Sequence, residues 1–238
     1  MNKLWTVNLG AMPYAEALEL QRNVARDRIS GAIREDVLLL VEHPPVVTLG
    51  RSSKEKNLIS SPQFLASKGV ELFEVERGGD VTFHGPGQLV GYPVIDLKRH
   101  KQDLHWFLRQ VEEALIRTLS RYGIPGERST GYTGVWTQSR KIASIGVHAR
   151  DWVTWHGFAL NVITDLSYFD LIVPCGIQDV EMTSILKEIR LRGDSPPDDL
   201  GVPSVAAVAA SIVGEVFGLE PVDTPRGMLS PAGERLAG

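Results

Sequence analysis

Residues 77–92, RGGDVTFHGPGQLVGY, constrain the fold of this chain more than any other stretch. They gather five glycines, a proline and the hydrogen-bonding side chains of Arg77, Thr82, His84 and Gln88 into sixteen positions. The apolar pieces between the glycines are short, so the segment cannot be mostly core. Glycine pairs occur where the backbone takes conformations closed to other residues or passes close to something else, and each gives up more chain entropy on folding than an ordinary loop residue. A lone Gly-Gly reads as a surface turn between strands. Four polar side chains crowded onto the same turn point instead to a functional loop.

The flanks of this stretch set the fold class. Residues 71–76 alternate as a strand entering it and residues 89–97 read as the strand leaving it, so the glycine-rich segment is expected to link two strands. Upstream, residues 5–9 read as a strand. Pro13 then opens a helix whose stripe is Tyr14, Ala17, Leu18, Val24 and Ala25, ending near Gly31. Residues 37–41 and 46–49 are short apolar runs on either side of His43-Pro44-Pro45, buried strands broken by a rigid turn, and residues 51–62 form a polar loop. Downstream, Leu104, Phe107, Leu108, Val111, Leu115, Leu119 and Tyr122 recur at three and four, predicting a helix over 103–122 that Asp103 caps and Gly123 ends. Residues 134–137, 141–148 and 152–162 predict a meander, its first two strands joined by a tight turn at Gln138-Ser139-Arg140. Short helices are expected near 165–169 and over 180–190, and an amphipathic helix over 203–217 on Val205, Val208, Ile212, Val213 and Val216. Strands interleaved with a few helices, without regular βα alternation, predict an α+β fold: a mixed, largely antiparallel sheet packed with helices. One domain is expected over 1–217, followed by a poorly ordered Pro/Gly-rich tail over 218–238.

Composition narrows the function classes. With 238 residues, 43% of them hydrophobic, the chain can build one large core, and its net charge of -4 argues against a general nucleic-acid binder. The single cysteine excludes an intrachain disulfide. The opening MNKLWTVNLG lacks the apolar core of a signal peptide, and no stretch approaches the ~18 apolar residues of a membrane span. A cytoplasmic protein with no membrane partner is expected.

The common phosphate-loop, serine-elbow and zinc signatures are absent from the sequence. His148 and His156 lie eight apart with no carboxylate cluster, so they read as hydrogen-bonding or structural groups and no metal site is expected. Cys175 stands out by its setting, a thiol between Pro174 and Gly176 where an apolar run turns. A lone cysteine is most often a small buried hydrophobe. To act as a nucleophile it needs a nearby cation, because the free thiol has a pKa of about 8.5. Lys141 is the candidate: it begins a strand of small and apolar residues, Ile142, Ala143, Ile145 and Gly146, and can point into a pocket and shuttle protons. Taken alone it reads as a surface lysine.

Three segments, RGGDVTFHGPGQLVGYPVIDL, GVWTQSRKIASIGVHARDWVTWHGFALNV and IVPCGI, in that order and spacing resemble the lipoyl(octanoyl) transferases, the octanoyl-carrier-protein-to-protein N-octanoyltransferases of lipoate synthesis. The resemblance spans residues 9–217. Phe83 stands where the family usually shows tyrosine, keeping the ring and losing a hydroxyl.

What the resemblance implies is a fold like the biotin and lipoate ligase catalytic domains, and a ping-pong acyl transfer. Cys175 would attack the thioester of octanoyl acyl carrier protein. The lysine of a lipoyl domain, in 2-oxo acid dehydrogenase acyltransferase subunits or the glycine cleavage H protein, would then take the acyl group as an amide. Lys141 would accept the proton of Cys175 and later that of the attacking amine. Arg77, Gly78, Gly79, Asp80, Val81, Thr82, Phe83 and His84, with Ser144, Ile145, Gly146, Gly157, Phe158 and Ala159, would line the acyl pocket, the small residues leaving room for eight carbons. The N–H groups of Gly176 and Ile177 are the expected oxyanion donors. No ATP, other cofactor or metal is expected. Acidic protein partners would dock on Arg99, Arg140, Lys141 and Arg150. Two alternatives stay open: an ATP-dependent lipoate ligase, which would share the glycine stretch and the lysine but needs no cysteine, and a non-catalytic acyl- or lipoyl-domain-binding protein.

Overall fold

The alternation of apolar residues generates most of the sheet. A computed structural model describes residues 2–177 and 180–229. In chain order the regular elements are β1 (Lys3–Ala11), α1 (Tyr14–Ser30), β2 (Asp36–Glu42), β3 (Val46–Leu49), α2 (Pro62–Ser67), β4 (Glu71–Glu74), β5 (Val81–His84), β6 (Gln88–Val94), α3 (Leu104–Ser120), β7 (Glu127–Ser129), β8 (Tyr132–Thr137), β9 (Arg140–Arg150), β10 (Val153–Asn161), α4 (Ile185–Leu191), α5 (Val202–Phe217) and β11 (Glu220–Asp223). An eight-stranded sheet runs β11-β1-β2-β6-β10-β9-β8-β7, with β1 parallel to both neighbours and the other pairs antiparallel. A smaller sheet runs β4-β3-β5. This is the expected mixed, largely antiparallel α+β architecture.

Helices cover both faces of the large sheet, which is why its central strands are apolar on both sides. Leu38, Leu40, Leu89 and Leu160 on one face pack against Phe107, Val111 and Leu115 of α3 and Ile212 and Phe217 of α5. Val37, Leu39, Val90 and Val94 on the other meet Ala17, Val24 and Ala25 of α1. The spacing that predicted α3 is the spacing of its buried residues, and the Asp103 carboxylate accepts from the Trp106 N–H at 3.0 Å. Arg28, buried at the end of α1, pairs with Asp36 of β2 at 3.0 Å and with Asp96 at 3.6 Å, tying helix to sheet. Among the described residues no helix is long and apolar enough to cross a membrane.

Four expectations need correction. The glycine stretch does more than link two strands, because it contains β5, which crosses to the small sheet and pairs with β3. The turn at His43-Pro44-Pro45 therefore changes sheets. Residues 62–67, unassigned in the sequence, form α2, whose start Ser61 caps by accepting from the Phe64 N–H. The expected tail is structured as far as described: β11 lies parallel to β1, with Leu219 and Leu229 buried, while residues 230–238 lie outside the described residues. Pro221 suits this edge strand, where one side of the backbone needs no partner.

Candidate active site

A bulge at the start of β9 aims Lys141. Regular alternation from Ser144, which lines the cavity described below, would bring Ile142 to the same face and turn Lys141 away. The register between β8 and β9 shifts instead, from Val135↔Ala143 to Trp136↔Lys141. Ile142 and Ala143 then both enter the core, and Lys141 joins Ser144 on the cavity side. The lysine is 1% exposed. Its ammonium lies 4.8 Å from the centre of the Trp136 ring, and its stem passes Gly134, where a Cβ would fall 3.1 Å from Lys141 Cε and 2.7 Å from the Ala143 carbonyl. Only glycine leaves that passage.

Cys175 arrives from the opposite side. Val173 donates to the Asn57 carbonyl at 2.8 Å, and the chain then tightens into a 3₁₀ turn, Pro174–Gly176. Cys175 takes the left-handed conformation, φ 55° and ψ 20°, sparsely populated for a residue with a Cβ and characteristic of functional sites. Its Sγ accepts from Lys141 Nζ at 3.1 Å, and Ser144 Oγ stands 3.8 Å away.

The pair opens onto a cavity of about 340 Å³, large enough for a small-molecule group. Arg77, Gly78, Gly79, Asp80, Thr82, His84, Ser144, Ile145, Gly146, Gly157, Phe158 and Ala159 line it with the pair, and so does Ile177. Val81 and Phe83 do not. They alternate to the far side of β5 and pack with Val47 and Leu65, with the Phe83 ring stacked 4.7 Å from Tyr168. The expected oxyanion donors are also corrected: the Gly176 N–H donates to the Val173 carbonyl at 2.9 Å and the Ile177 N–H to the Pro174 carbonyl at 3.1 Å, so the turn itself consumes both. Nor do Gly146 and Gly157 leave room for a chain. A Cβ on Gly146 would lie 2.7 Å from the Gly78 carbonyl, and one on Gly157 2.2 Å from the Gly91 carbonyl, so protein backbone fills both spaces.

The glycine loop is braced from several elements. Arg77 is buried, donating from Nη2 to the Thr48 carbonyl at 2.7 Å and hydroxyl at 2.8 Å, and from Nη1 to the Gly78 carbonyl at 3.1 Å. Burial pushes its pKa down. Glu76 accepts from Arg22 of α1 and from Trp155 Nε1 of β10, and the His156 imidazole 3.7 Å away, followed by these bonds, holds its carboxyl well below the usual range. Asp80 takes the Val81 N–H at 2.7 Å and Asn57 Nδ2 at 2.6 Å, fixing the loop to the segment that carries Cys175. Of the expected docking cations, Lys141 is buried, Arg140 is engaged by Glu188 through two bonds of 2.8 Å, and Arg99 donates to the Arg34 carbonyl. Arg99 stays exposed despite that bond, and Arg150 is exposed 3.7 Å from Asp151.

Tyr14, Val90, Tyr92, Leu104, Leu108, Tyr132 and His156 also line the cavity and were not placed at the site by the sequence. Tyr14 belonged to the predicted apolar stripe of α1, but which face of the sheet that stripe would meet was not legible. Tyr14 stacks on His84 with ring centres 6.0 Å apart, closing the polar end of the cavity.

The family model for the lipoyl protein ligase A/B catalytic domain matches residues 13–208. The octanoyltransferase of Acidobacterium capsulatum is 51% identical over 225 residues, covering 89% of each chain, and that of a Nostoc species is 47% identical over 223 residues, covering 94% of this chain and 96% of its own. The chain belongs to the octanoyltransferase family. It is an acyltransferase. Among solved structures, lipoate-protein ligase A bound with ATP superposes with a TM-score of 0.73 at 14% identity, covering 94% of this chain and 88% of its own. The bipartite lipoate protein ligase of Thermoplasma acidophilum, described with its E2 lipoyl domain, gives 0.70 at 15% identity, with the same coverage. At that identity the likeness is one of fold, and this octanoyltransferase-family chain shares its architecture with the ligases.

Proposed function

We propose that this protein transfers an octanoyl group from octanoyl acyl carrier protein to the acceptor lysine of lipoyl domains, through a thioester on Cys175. The observation that carries the reading is the 3.1 Å contact between Lys141 Nζ and Cys175 Sγ at a cavity of about 340 Å³. The Cys175 sulfur, its proton taken by Lys141, adds to the carbonyl carbon of the donor thioester. The donor carbon–sulfur bond breaks, and Lys141 returns the proton to the departing thiol. The acceptor amine then adds to the acyl-enzyme carbonyl, Cys175 leaves, and Lys141 takes the amine proton. Ser144 Oγ, 3.8 Å from the sulfur, replaces the Gly176 and Ile177 amides as the proposed oxyanion donor.

On this reading neither ATP nor a metal takes part. Exchange between thioesters is nearly isoenergetic and thioester to amide runs downhill, so the donor already carries the activation. The lipoyl domains of 2-oxo acid dehydrogenase acyltransferase subunits and the glycine cleavage H protein are the proposed acceptors, in the cytoplasm.

Incubation with octanoyl acyl carrier protein should add one octanoyl group to the intact mass of the protein, and Cys175→Ala should abolish both adduct and transfer. Lys141→Ala should slow adduct formation by about 10² or more while leaving the fold intact. Transfer without an adduct, or transfer that begins only when ATP and free octanoate are supplied, would sink the covalent mechanism.

A further inference from the structure

Lys141 is clamped on the side away from β8 by the chain that follows the nucleophile. Its N–H donates to the Glu181 carbonyl at 2.8 Å and its carbonyl accepts from the Thr183 N–H at 2.9 Å, a one-residue parallel bridge opposite Met182. Such a clamp fixes the lysine only if residues 181–183 are themselves fixed. A buried polar cluster with no part in the bond-making steps does this. Asn161, at the end of β10 and 1% exposed, donates from Nδ2 to the Thr183 carbonyl at 2.9 Å and accepts at Oδ1 from Gln88 Nε2 at 2.9 Å. Gln88 also donates to the Phe83 carbonyl at 3.2 Å, so its Oε1 accepts from His84 Nδ1 at 2.9 Å, and His84 lines the cavity. On the far side the Thr183 hydroxyl donates to Glu188, the carboxylate that engages Arg140, the residue before Lys141.

We propose that Asn161 is a positioning residue for the acyl transfer. Through Thr183 it holds the Lys141 ammonium at the Cys175 sulfur, and through Gln88 and His84 it ties that lysine to the wall of the acyl cavity. The proposal rests on the Cys175–Lys141 reading above. Misplacement of a reacting group by about 1 Å is enough to lower a rate on the order of 10²-fold, and among the described residues Asn161 is the sole side chain joining Gln88 to Thr183.

Asn161→Leu keeps the branched four-atom skeleton and loses both bonds, and Asn161→Ser, a milder change, is too short to span Gln88 and Thr183. In folded protein, judged by near-UV circular dichroism, kcat for octanoyl transfer should fall about 10²-fold while KM for the donor stays within about two-fold. Alkylation of Cys175 by iodoacetamide at neutral pH, a signal unique to the one cysteine, should slow about ten-fold, in the same direction as in Lys141→Ala. A folded Asn161 variant with lowered stability but wild-type kcat and alkylation would overturn the proposal and leave the reacting pair standing. Alkylation of Lys141→Ala at the wild-type rate would overturn the pair, and the proposal with it.

Discussion

His43 is committed to one protonation state by its two neighbours. The Met12 carbonyl, 2.7 Å from Nδ1, can only accept, so Nδ1 carries the proton and Nε2 accepts from the Tyr92 hydroxyl at 2.7 Å. Burial lowers its pKa from 6.5 to about 4 and that of His84 to about 3. Both rings are neutral when folded, while in the unfolded chain they protonate near pH 6.5. Stability is therefore flat with respect to these groups above pH 7 and is lost as pH falls from about 6.5 toward 4, by about 2 kcal/mol for each ring at pH 5. Urea denaturation at pH 7 and pH 5 should show this loss, and in His43→Asn it should be smaller by about 2 kcal/mol. An equal loss in both proteins would mean that His43 does not contribute.

The contact between β9 and the glycine loop has a consequence that separates two neighbouring glycines. Gly146 has no room for a methyl group, because the Gly78 carbonyl occupies that space at 2.7 Å, whereas a methyl on Gly78 would meet the Val147 carbonyl at an ordinary 3.4 Å. Gly146→Ala should therefore destabilise the protein by about 1–3 kcal/mol and lower kcat/KM, while Gly78→Ala should stay within about 0.5 kcal/mol of wild type in thermal melts. The elements themselves were largely legible: α3 and α5 by their three-and-four spacing, the β8–β9–β10 meander by its alternation and the turn at Gln138 and Ser139, where φ is 46° and 67°. The meeting of Lys141 with Cys175 was legible only through the family resemblance, because taken alone the cysteine reads as a buried hydrophobe and the lysine as a surface group. What escaped depended on contacts distant in the chain. Four residues between glycines are too few to announce β5, and its alternation alone could not say that Thr82 and His84 face the cavity while Val81 and Phe83 face the core. The bulge that turns Lys141 toward Ser144 leaves no mark in an apolar run, and the commitment of the Gly176 and Ile177 amides follows from the tightness of a turn that residue types do not reveal.

Across the molecule, the large sheet is completed by residues far from the cavity. β11 covers the outer edge of β1, with the Glu220 N–H on the Asn2 carbonyl at 2.8 Å and the Thr224 N–H on the Thr6 carbonyl at 2.9 Å. Removing residues 219–238 exposes that edge and the spaces filled by Leu219 and Leu229, a loss of about 3–6 kcal/mol for the two leucines. The melting temperature should fall on the order of 10 °C, and an unchanged melt would show that β11 is dispensable. The clamp on Lys141 extends this dependence to the reacting pair. Glu181, which holds the lysine, follows Cys175 by only six positions, so nucleophile and brace belong to one short path of chain. The dyad is therefore not a portable module of two side chains. A designer grafting it onto another sheet would have to transplant the returning segment and its asparagine anchor as well, and an insertion or deletion between Cys175 and Glu181 would disconnect both partners at once.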